Sequence, residues 1–568
     1  MNFKSFRRGG SLLVLVVGVV AGGTIILPCP ATAACAFRAE LVDELEDLFP
    51  DSEVSHPPRT RFHTDAARGT IAGLHILVNH VKRGEPLRFT LRSHGEVVDR
   101  ARWYRLVDVP VEFNTGLESR TEQYDGRRNP FVIRRAPFRV YDAIAPVESP
   151  WRRDAATAAI RVELDIPPDA EAGEHDYTIE VKAGGRSLSL SWTIKVFEVA
   201  VPPSGRDTLA FTNWFSVGNM AKWHGLEPWS EAHWEMIRRY ARLMARSRQN
   251  VFRVNWYEFF NRVKDGTYVL NDVKLRRYVK LFLEEGFYYI EGGTVAHRPN
   301  ADWSSTYWVL NRTNTRATSL EGNAELAHLA RQVMREIDAH GWKDRWLQHV
   351  ADEPTKENAA DYRILAGMVR KYMPGIPILE ATMALDLAGA VDIWCPQVQE
   401  YQKNRKAFDA FRKQGDRIWV YTCLVPGGPW LNRLLDQERM RPMLIGWAAA
   451  RYDLDGYLHW GLNQYRANPF QQSVVRHPHV PTPQYSLPAG DTHVVYPGAE
   501  GPWSSMRLEA HRVGLEDYEL LRLLKKRDPK RADAIIHRVI RAFDDYTKDP
   551  AVYRAAKGEL LTALAADR

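Results

Sequence analysis

The run Trp346-Leu347-Gln348-His349-Val350-Ala351-Asp352-Glu353-Pro354 decides how the rest of the chain is read. Its first five residues read as a short apolar strand. Pro354 disfavours helical geometry at Glu353 and pushes that residue toward extended backbone, and Thr355 stands where it can cap a helix over 356–372. Two carboxylates therefore stand side by side where a strand ends. Like charges held together raise the pKa of one of them, which yields a proton donor beside a charge stabiliser, the equipment for cleaving a glycosidic bond. Adjacent acids also occur at Asp43-Glu44, Glu46-Asp47 and Glu516-Asp517. What distinguishes Asp352-Glu353 is the place of its strand in the chain.

Seven other apolar runs keep that strand company: 208–214, 251–257, 288–290, 378–381, 391–394, 418–421 and 456–460. With 346–350 they make eight, separated by helical patterns. Eight strand–helix units closing on themselves make a (β/α)8 TIM-like barrel. Ser230 is placed to cap a helix with Trp234, Ile237, Tyr240, Ala241 and Met244 on one face. Asn271 starts another with Leu275, Val279 and Phe282 inward and Gly286 at its end. A third puts Leu326, Leu329, Val333 and Ile337 together and stops at Gly341. The fifth crossover, through Leu385 and Leu387, is short. Before this region, 61–200 alternates apolar and polar residues, as in Leu87–Leu91, Ala159–Leu164, Tyr177–Val181 and Ser189–Val196, and reads as a β-sandwich. The expected organisation is multidomain: a signal peptide at 1–34, an N-terminal extension at 35–60, the β-sandwich at 61–200, the barrel at 206–475, and a C-terminal loop and helical extension at 476–568.

Barrel active sites lie at the C-terminal ends of the strands, so the strand list becomes a site list. It supplies Asn213 and Trp214, Asn255, Tyr257 and Glu258, Glu291 with His297 beyond it, Asp352 and Glu353, Trp394 and Gln397, Tyr421, and Trp460 with Asn463. Tyr496 lies in a loop after the eighth strand. Trp394 and Trp460 fit equally as barrel plugs or as sugar platforms, and Glu258 or Glu291 could supply a second catalytic carboxylate. No metal-ligand spacing, phosphate-binding loop or nucleophile–histidine arrangement stands out, so no cofactor is expected.

Composition agrees with a protein of several domains. The chain has 568 residues, too many for one core. Its net charge of +7 is spread without a basic run, which argues against nucleic acid as a partner. The 18 tryptophans and 23 tyrosines suit sugar faces as well as cores. Lys4, Arg7 and Arg8 precede an apolar run and then Ala31-Thr32-Ala33, the order of a secretion signal. An exported protein is expected, periplasmic or extracellular, with no membrane segment after signal removal and with Cys35 a candidate lipid anchor. Cys395 and Cys423 are open to pairing or to life as buried thiols.

Several motifs together resemble glycoside hydrolase family 123. They are the Val196–Pro202 passage into the barrel, Asp352-Glu353-Pro354, Gly456-Tyr457-Leu458-His459-Trp460, Tyr496-Pro497-Gly498, Ser505–Glu509 and Arg512–Glu519. The resemblance implies a glycan substrate and a retaining, substrate-assisted exo-β-N-acetylgalactosaminidase. In that scheme Glu353 is the general acid/base and Asp352 orients the 2-acetamido group. Asn213, Asn255, Tyr257, Trp394, Tyr421, Trp460, Asn463 and Tyr496 are the candidate sugar contacts by position. The alternatives are a glycosidase for other sugars, using Glu353 with a second carboxylate, and a carbohydrate-binding protein without turnover. Arg507, Arg512 and Glu516 are expected to tie the last helix to the barrel.

Overall fold

A computed structural model describes residues 37–566 apart from 154, 156, 478, 479 and 481; the expected signal segment and Cys35 lie outside the described residues. The N-terminal region is built from β1 (Arg38–Val42), β2 (Arg61–Arg68), β3 (Thr70–Asn79), β4 (Pro86–Ser93), β5 (Arg102–Val111), β6 (Phe138–Pro146), β7 (Ala158–Ile166), β8 (Gly173–Ala183) and β9 (Arg186–Ala200). One sheet runs β1-β3-β7-β5-β6, the other β2-β9-β8-β4. All pairs are antiparallel except β2 with β9. Period-two burial puts Tyr177, Ile179 and Val181 of β8 inward while Thr178 and Lys182 face water. Those residues share one core with Leu74, Ile76 and Val78 of β3 and Leu190, Trp192 and Ile194 of β9.

Two features of this region exceed the sequence reading. Residues 38–42 are a paired strand of the first sheet rather than an extension. At the other edge, Ser504 and Ser505 pair with Ile144 and Ala143 of β6, and Tyr496-Pro497 pairs outside them. The C-terminal part thus completes the N-terminal sheet.

The region after residue 206 is a curled sheet of parallel strands: β10 (Ala210–Asn213), β11 (Val251–Val254), β12 (Tyr289–Gly292), β13 (Trp346–Gln348), β14 (Leu379–Glu380), β15 (Ile393–Trp394), β16 (Arg417–Thr422) and β17 (Gly456–His459). Each overlaps one of the eight expected segments. Ladders join β11-β12-β13 and β14-β15-β16-β17-β10, and a bridge from Gln348 to Ile378 joins the two sets. Where β10 approaches β11, the Phe211 N–H donates to Asn250 Oδ1 at 2.9 Å and the Asn250 N–H donates to the Phe211 carbonyl at 3.3 Å.

Helices connect the strands: α1 (Glu231–Arg246), α2 (Asp272–Glu284), α3 (Leu320–Ala339), α4 (Ala359–Tyr372), the pair Val398–Lys403 and Arg405–Lys413, α5 (Met440–Tyr452) and, after β17, α6 (Met506–Arg527). Ser230 and Asn271 accept from the amides of His233 and Lys274, as their cap positions require. The fifth connection holds only the 3-10 turn Leu385–Leu387. α5 and α6 touch backbone to backbone: a Cβ on Gly446 would lie 2.0 Å from the Gly514 carbonyl oxygen, and one on Gly514 2.0 Å from that of Met443. No helix among the described residues is long and apolar enough to cross a membrane.

A buried ion cluster joins the two regions. Asp142 of β6 accepts from Arg439 Nη1 at 2.8 Å, Arg507 Nε at 2.9 Å and the Tyr496 hydroxyl at 2.8 Å. Burial alone would raise its pKa, but the Arg507 and Arg439 guanidiniums outweigh burial and lower it. Arg512 on α6 donates to Glu509 and Glu516 of its own helix. These side chains are structural, but Arg507 ties the helix to the N-terminal sheet and Arg512 pairs with Glu516 on its own helix, where the sequence reading expects ties to the barrel.

Candidate active site

The chain past β13 is held at every step. The His349 N–H donates to the Gly292 carbonyl at 3.0 Å, and the Val350 carbonyl accepts from Val295 and Ala296. Glu380 Oε2 accepts from the Val350 and Ala351 amides at 3.2 and 3.0 Å. Arg298 Nη1 donates to the Asp352 carbonyl at 2.8 Å and Nη2 to the Glu353 carbonyl. The Thr382 hydroxyl donates to the Pro354 carbonyl at 2.9 Å. Within this cradle Glu353 has φ +49°, in the left-handed region, which corrects the extended backbone expected before proline. The contacts to the flanking carbonyls and amides hold a conformation that a non-glycine residue rarely adopts.

That conformation aims the Glu353 carboxyl at β16, where Tyr421 donates its hydroxyl to Oε1. The same hydroxyl accepts from Gln397 Nε2 at 3.0 Å. Burial, and then the neighbouring Asp352 charge, push the Glu353 pKa up to about 7, against the lowering effect of Tyr421 and Arg298. Asp352 is exposed. The two carboxylates thus occupy different environments, one half-buried and proton-holding, one open to solvent.

Beneath the pair lies a second charged layer. His349 donates through Nε2 to Glu291 at 2.8 Å and through Nδ1 to Glu380 at 3.2 Å, and all three side chains are wholly buried. Burial would lower the His349 pKa, but the two carboxylates outweigh it and raise it to about 9. Glu291 also accepts from Trp214 Nε1 at 2.6 Å and the Thr212 hydroxyl at 3.0 Å. Trp214 stands edge-on to His349, with the Arg253 guanidinium 3.8 Å from its ring centre.

Two further features frame the mouth. Cys423, past β16, is a free thiol, as is Cys395. Burial and then the Asp491 and Glu353 carboxylates push the Cys423 pKa well above its usual value. Asp491 accepts from Trp460 Nε1 at 3.0 Å, and burial raises its pKa to about 7. On the other flank, Asp352 borders a cavity of about 750 Å³ lined by His297, Arg298, Trp303, Tyr307, Trp308 and Asn314 among others. Trp303, 55% exposed, is packed on the Arg298 guanidinium at 3.9 Å. Such a volume is in the range of small-ligand sites.

The structure brings only part of the expected site together. Glu353 meets Tyr421 with Asp352 next to it in the chain, and partly buried Trp460 donates to Asp491. Asn255 and Tyr257 are half-buried on the β11 side; Asn255 donates to Glu258 at 3.2 Å and both border a smaller pocket of about 190 Å³. Asn213, Trp394, Asn463 and Tyr496 are wholly buried and hold the fold rather than reach a ligand. Asn213 accepts from Arg433 at 2.8 Å. Trp394 donates to Asp416 at 2.8 Å and stacks on Phe411 at 4.6 Å. Asn463 accepts from the Ser216 amide at 2.7 Å, and Tyr496 serves the Asp142 cluster. Strand alternation explains two of these: Ala210 and Ile393 point into the curled sheet, so Trp394 faces the surrounding helices and Asn213 turns outward to Gln249 and Arg433.

Arg298, Trp303, Glu380 and Asp491 are absent from the sequence-derived site. Glu380 left one signal, a carboxylate inside the short apolar segment 378–381. The other three lie in loops with no pattern to mark them. Among the described residues no cluster of histidine, cysteine and carboxylate suits a metal ion.

Comparisons with known proteins bear on this geometry. The sequence profile "Glycoside hydrolase 123, catalytic domain" matches residues 214–524. A structure of a family 123 glycoside hydrolase from Clostridium perfringens, described in terms of glycolipid glycan hydrolysis, superposes with a TM-score of 0.69 at 12% identity, covering 93% of this chain and 97% of that one. An apo β-glucuronidase 3 from Bacteroides uniformis covers 80% of this chain and 51% of its own at 11% identity, but its TM-score of 0.29 carries no argument. No curated protein sequence matches.

Proposed function

The chain belongs to glycoside hydrolase family 123, and from that membership we propose a retaining, substrate-assisted exo-β-N-acetylgalactosaminidase worked by Glu353 and Asp352. That it is a glycoside hydrolase acting on a glycan follows from the family; the sugar and mechanism are our reading. The observation that carries it is the asymmetry of the pair: Glu353 holds its proton to about pH 7 beside an exposed Asp352.

In the first step Glu353 gives its proton to the glycosidic oxygen as the bond to the anomeric carbon breaks. The carbonyl oxygen of the substrate's own 2-acetamido group attacks that carbon from the opposite face, forming an oxazolinium ion. Asp352 accepts the acetamide N–H and stabilises the positive charge that grows there. In the second step ionised Glu353 takes a proton from water, whose oxygen opens the oxazolinium with net retention. A group near pH 7 serves both as acid and as base.

No enzyme nucleophile is needed in this scheme, and the surroundings agree. Glu291 is committed to His349, Thr212 and Trp214 below the site, and Glu258 is bonded to Asn255 in a separate pocket. Tyr421 steadies Glu353, Trp460 offers a ring for the terminal sugar, and the cavity bearing Trp303 receives the rest of the glycan, a glycolipid glycan being one candidate. We read the curled sheet as a (β/α)8 barrel and the two N-terminal sheets as a β-sandwich. Export to the periplasm or the exterior, with Cys35 a candidate lipid anchor, belongs to the same proposal.

The test is a pair of aryl β-glycosides, one of N-acetylgalactosamine and one of galactose. Turnover of the first alone supports acetamide participation; comparable turnover of galactoside refutes it.

A further inference from the structure

The chemistry above leaves the Glu291–His349–Glu380 triad unused, although it lies directly under the reacting groups. We propose that this triad is a positioning device that sets the place of the Glu353 carboxyl, with His349 held as an imidazolium at neutral pH. The proposal deepens the reading of Glu353 as acid/base and rests on it.

Three consecutive strands contribute one member each: Glu291 lies on β12, His349 immediately after β13, and Glu380 on β14. Every polar atom of the imidazole and of Glu380 is bonded. Glu380 Oε1 accepts from His349 Nδ1, while Oε2 accepts from the Val350 and Ala351 amides and from the Tyr362 hydroxyl at 2.9 Å. Glu380 therefore grips the backbone from below one residue before Asp352, while Arg298 grips the carbonyls of Asp352 and Glu353 from the cavity side. Between these two grips sits the left-handed Glu353. Glu291 extends the hold to Trp214 in the mouth.

The arrangement needs the imidazolium. Around a neutral ring the two wholly buried carboxylates would have only Arg253 beside them to offset them, leaving one anion unmatched, and one would take up a proton and lose part of its acceptor capacity. The other charged or titratable groups around the triad are Arg253 beside Glu291, the Tyr362 hydroxyl on Glu380, the Cys395 thiol near both carboxylates, and Arg298 and Glu353 above Glu380. None of them donates to either carboxylate from the position His349 fills. Being wholly enclosed, His349 touches no substrate and acts only through what it positions.

The test compares His349→Gln with Glu291→Gln/His349→Gln, using 4-nitrophenyl β-N-acetylgalactosaminide. His349→Gln should lose about a hundredfold or more in kcat at pH 7 with KM changed less than about threefold. Its deficit relative to the wild type should shrink from pH 8 to pH 5, as one carboxyl takes the missing proton. The double variant, which restores the charge balance, should recover about tenfold of the loss. Retention of kcat within threefold, or a pH-independent loss that the double variant does not recover, overturns the proposal in favour of plain packing.

Glu353→Gln is assayed alongside. An active Glu353→Gln overturns the acid assignment and this role with it, whereas an inactive one beside a fully active His349→Gln overturns the triad's role alone. Should His349→Gln not fold, 15N-histidine spectra of the wild type decide. Both His349 ring nitrogens protonated from pH 6 to 8 is the expected result, and a neutral ring in that window overturns it.

Discussion

Replacing Tyr421 by Phe should move the basic limb of the pH–activity profile upward. The Tyr421 hydroxyl donates to the Glu353 carboxyl and favours its ionised form, so it lowers a pKa that burial and Asp352 raise to about 7. Phe keeps the ring, which is 4% exposed, so little water gains access. A hydrogen bond to a charged group contributes roughly 1.5–3 kcal/mol. At about 1.4 kcal/mol per pKa unit, its loss raises the Glu353 pKa by roughly one to two units. The acid must be protonated for the first step, so activity in the wild type falls as pH rises through about 7. In Tyr421→Phe the fall should come near pH 8 or above. The assay is kcat/KM for an aryl β-N-acetylgalactosaminide between pH 5 and 10. A limb that stays put or moves to lower pH would refute the account of how Glu353 is tuned.

Other expectations follow from the same contacts. Trp303→Ala removes the exposed ring packed on Arg298 and should raise KM for an oligosaccharide by about tenfold, in the range of base- or sugar-sized stacking losses; an unchanged KM would remove the cavity from the binding site. Asp142→Asn leaves Arg439 and Arg507 buried without their anion and should cost about 3–5 kcal/mol near neutral pH, read as a lower melting temperature. Because the folded pKa of Asp142 lies below 3.8, that stabilisation is complete above the unfolded value and is lost as pH falls through the folded one. The wild type and variant should converge in strong acid, and a gap that widens there would contradict the sign. Asn213→Ala should cost about 1–3 kcal/mol of stability while kcat/KM of the folded enzyme stays within threefold; a large loss of activity would return Asn213 to the site.

What the sequence made legible was whatever has a short period. Apolar runs located the strands, and Ser230, Asn271, Gly286 and Gly341 marked the helix ends, because cap and strand signals are local. The Asp352-Glu353-Pro354 step was legible because the residue types and their place after an apolar run coincide. Pairings between distant segments left no such trace, as with Ser504 joining Ile144 or Asp142 meeting Arg507. Side-chain direction at strand ends was equally hidden. One residue of slip turns a platform such as Trp394 into core, and the contacts holding Glu353 at φ +49° come from Arg298 and Glu380, neither of which carries a motif.

The central claim is that Glu353 and Asp352 divide one reaction between them. It is tested most directly by nitrophenol release from 4-nitrophenyl β-N-acetylgalactosaminide by the wild type, Glu353→Gln and Asp352→Asn at pH 6. The account predicts turnover by the wild type and losses of about 10²–10⁴ in each folded variant. Turnover in either variant within tenfold of the wild type would contradict it.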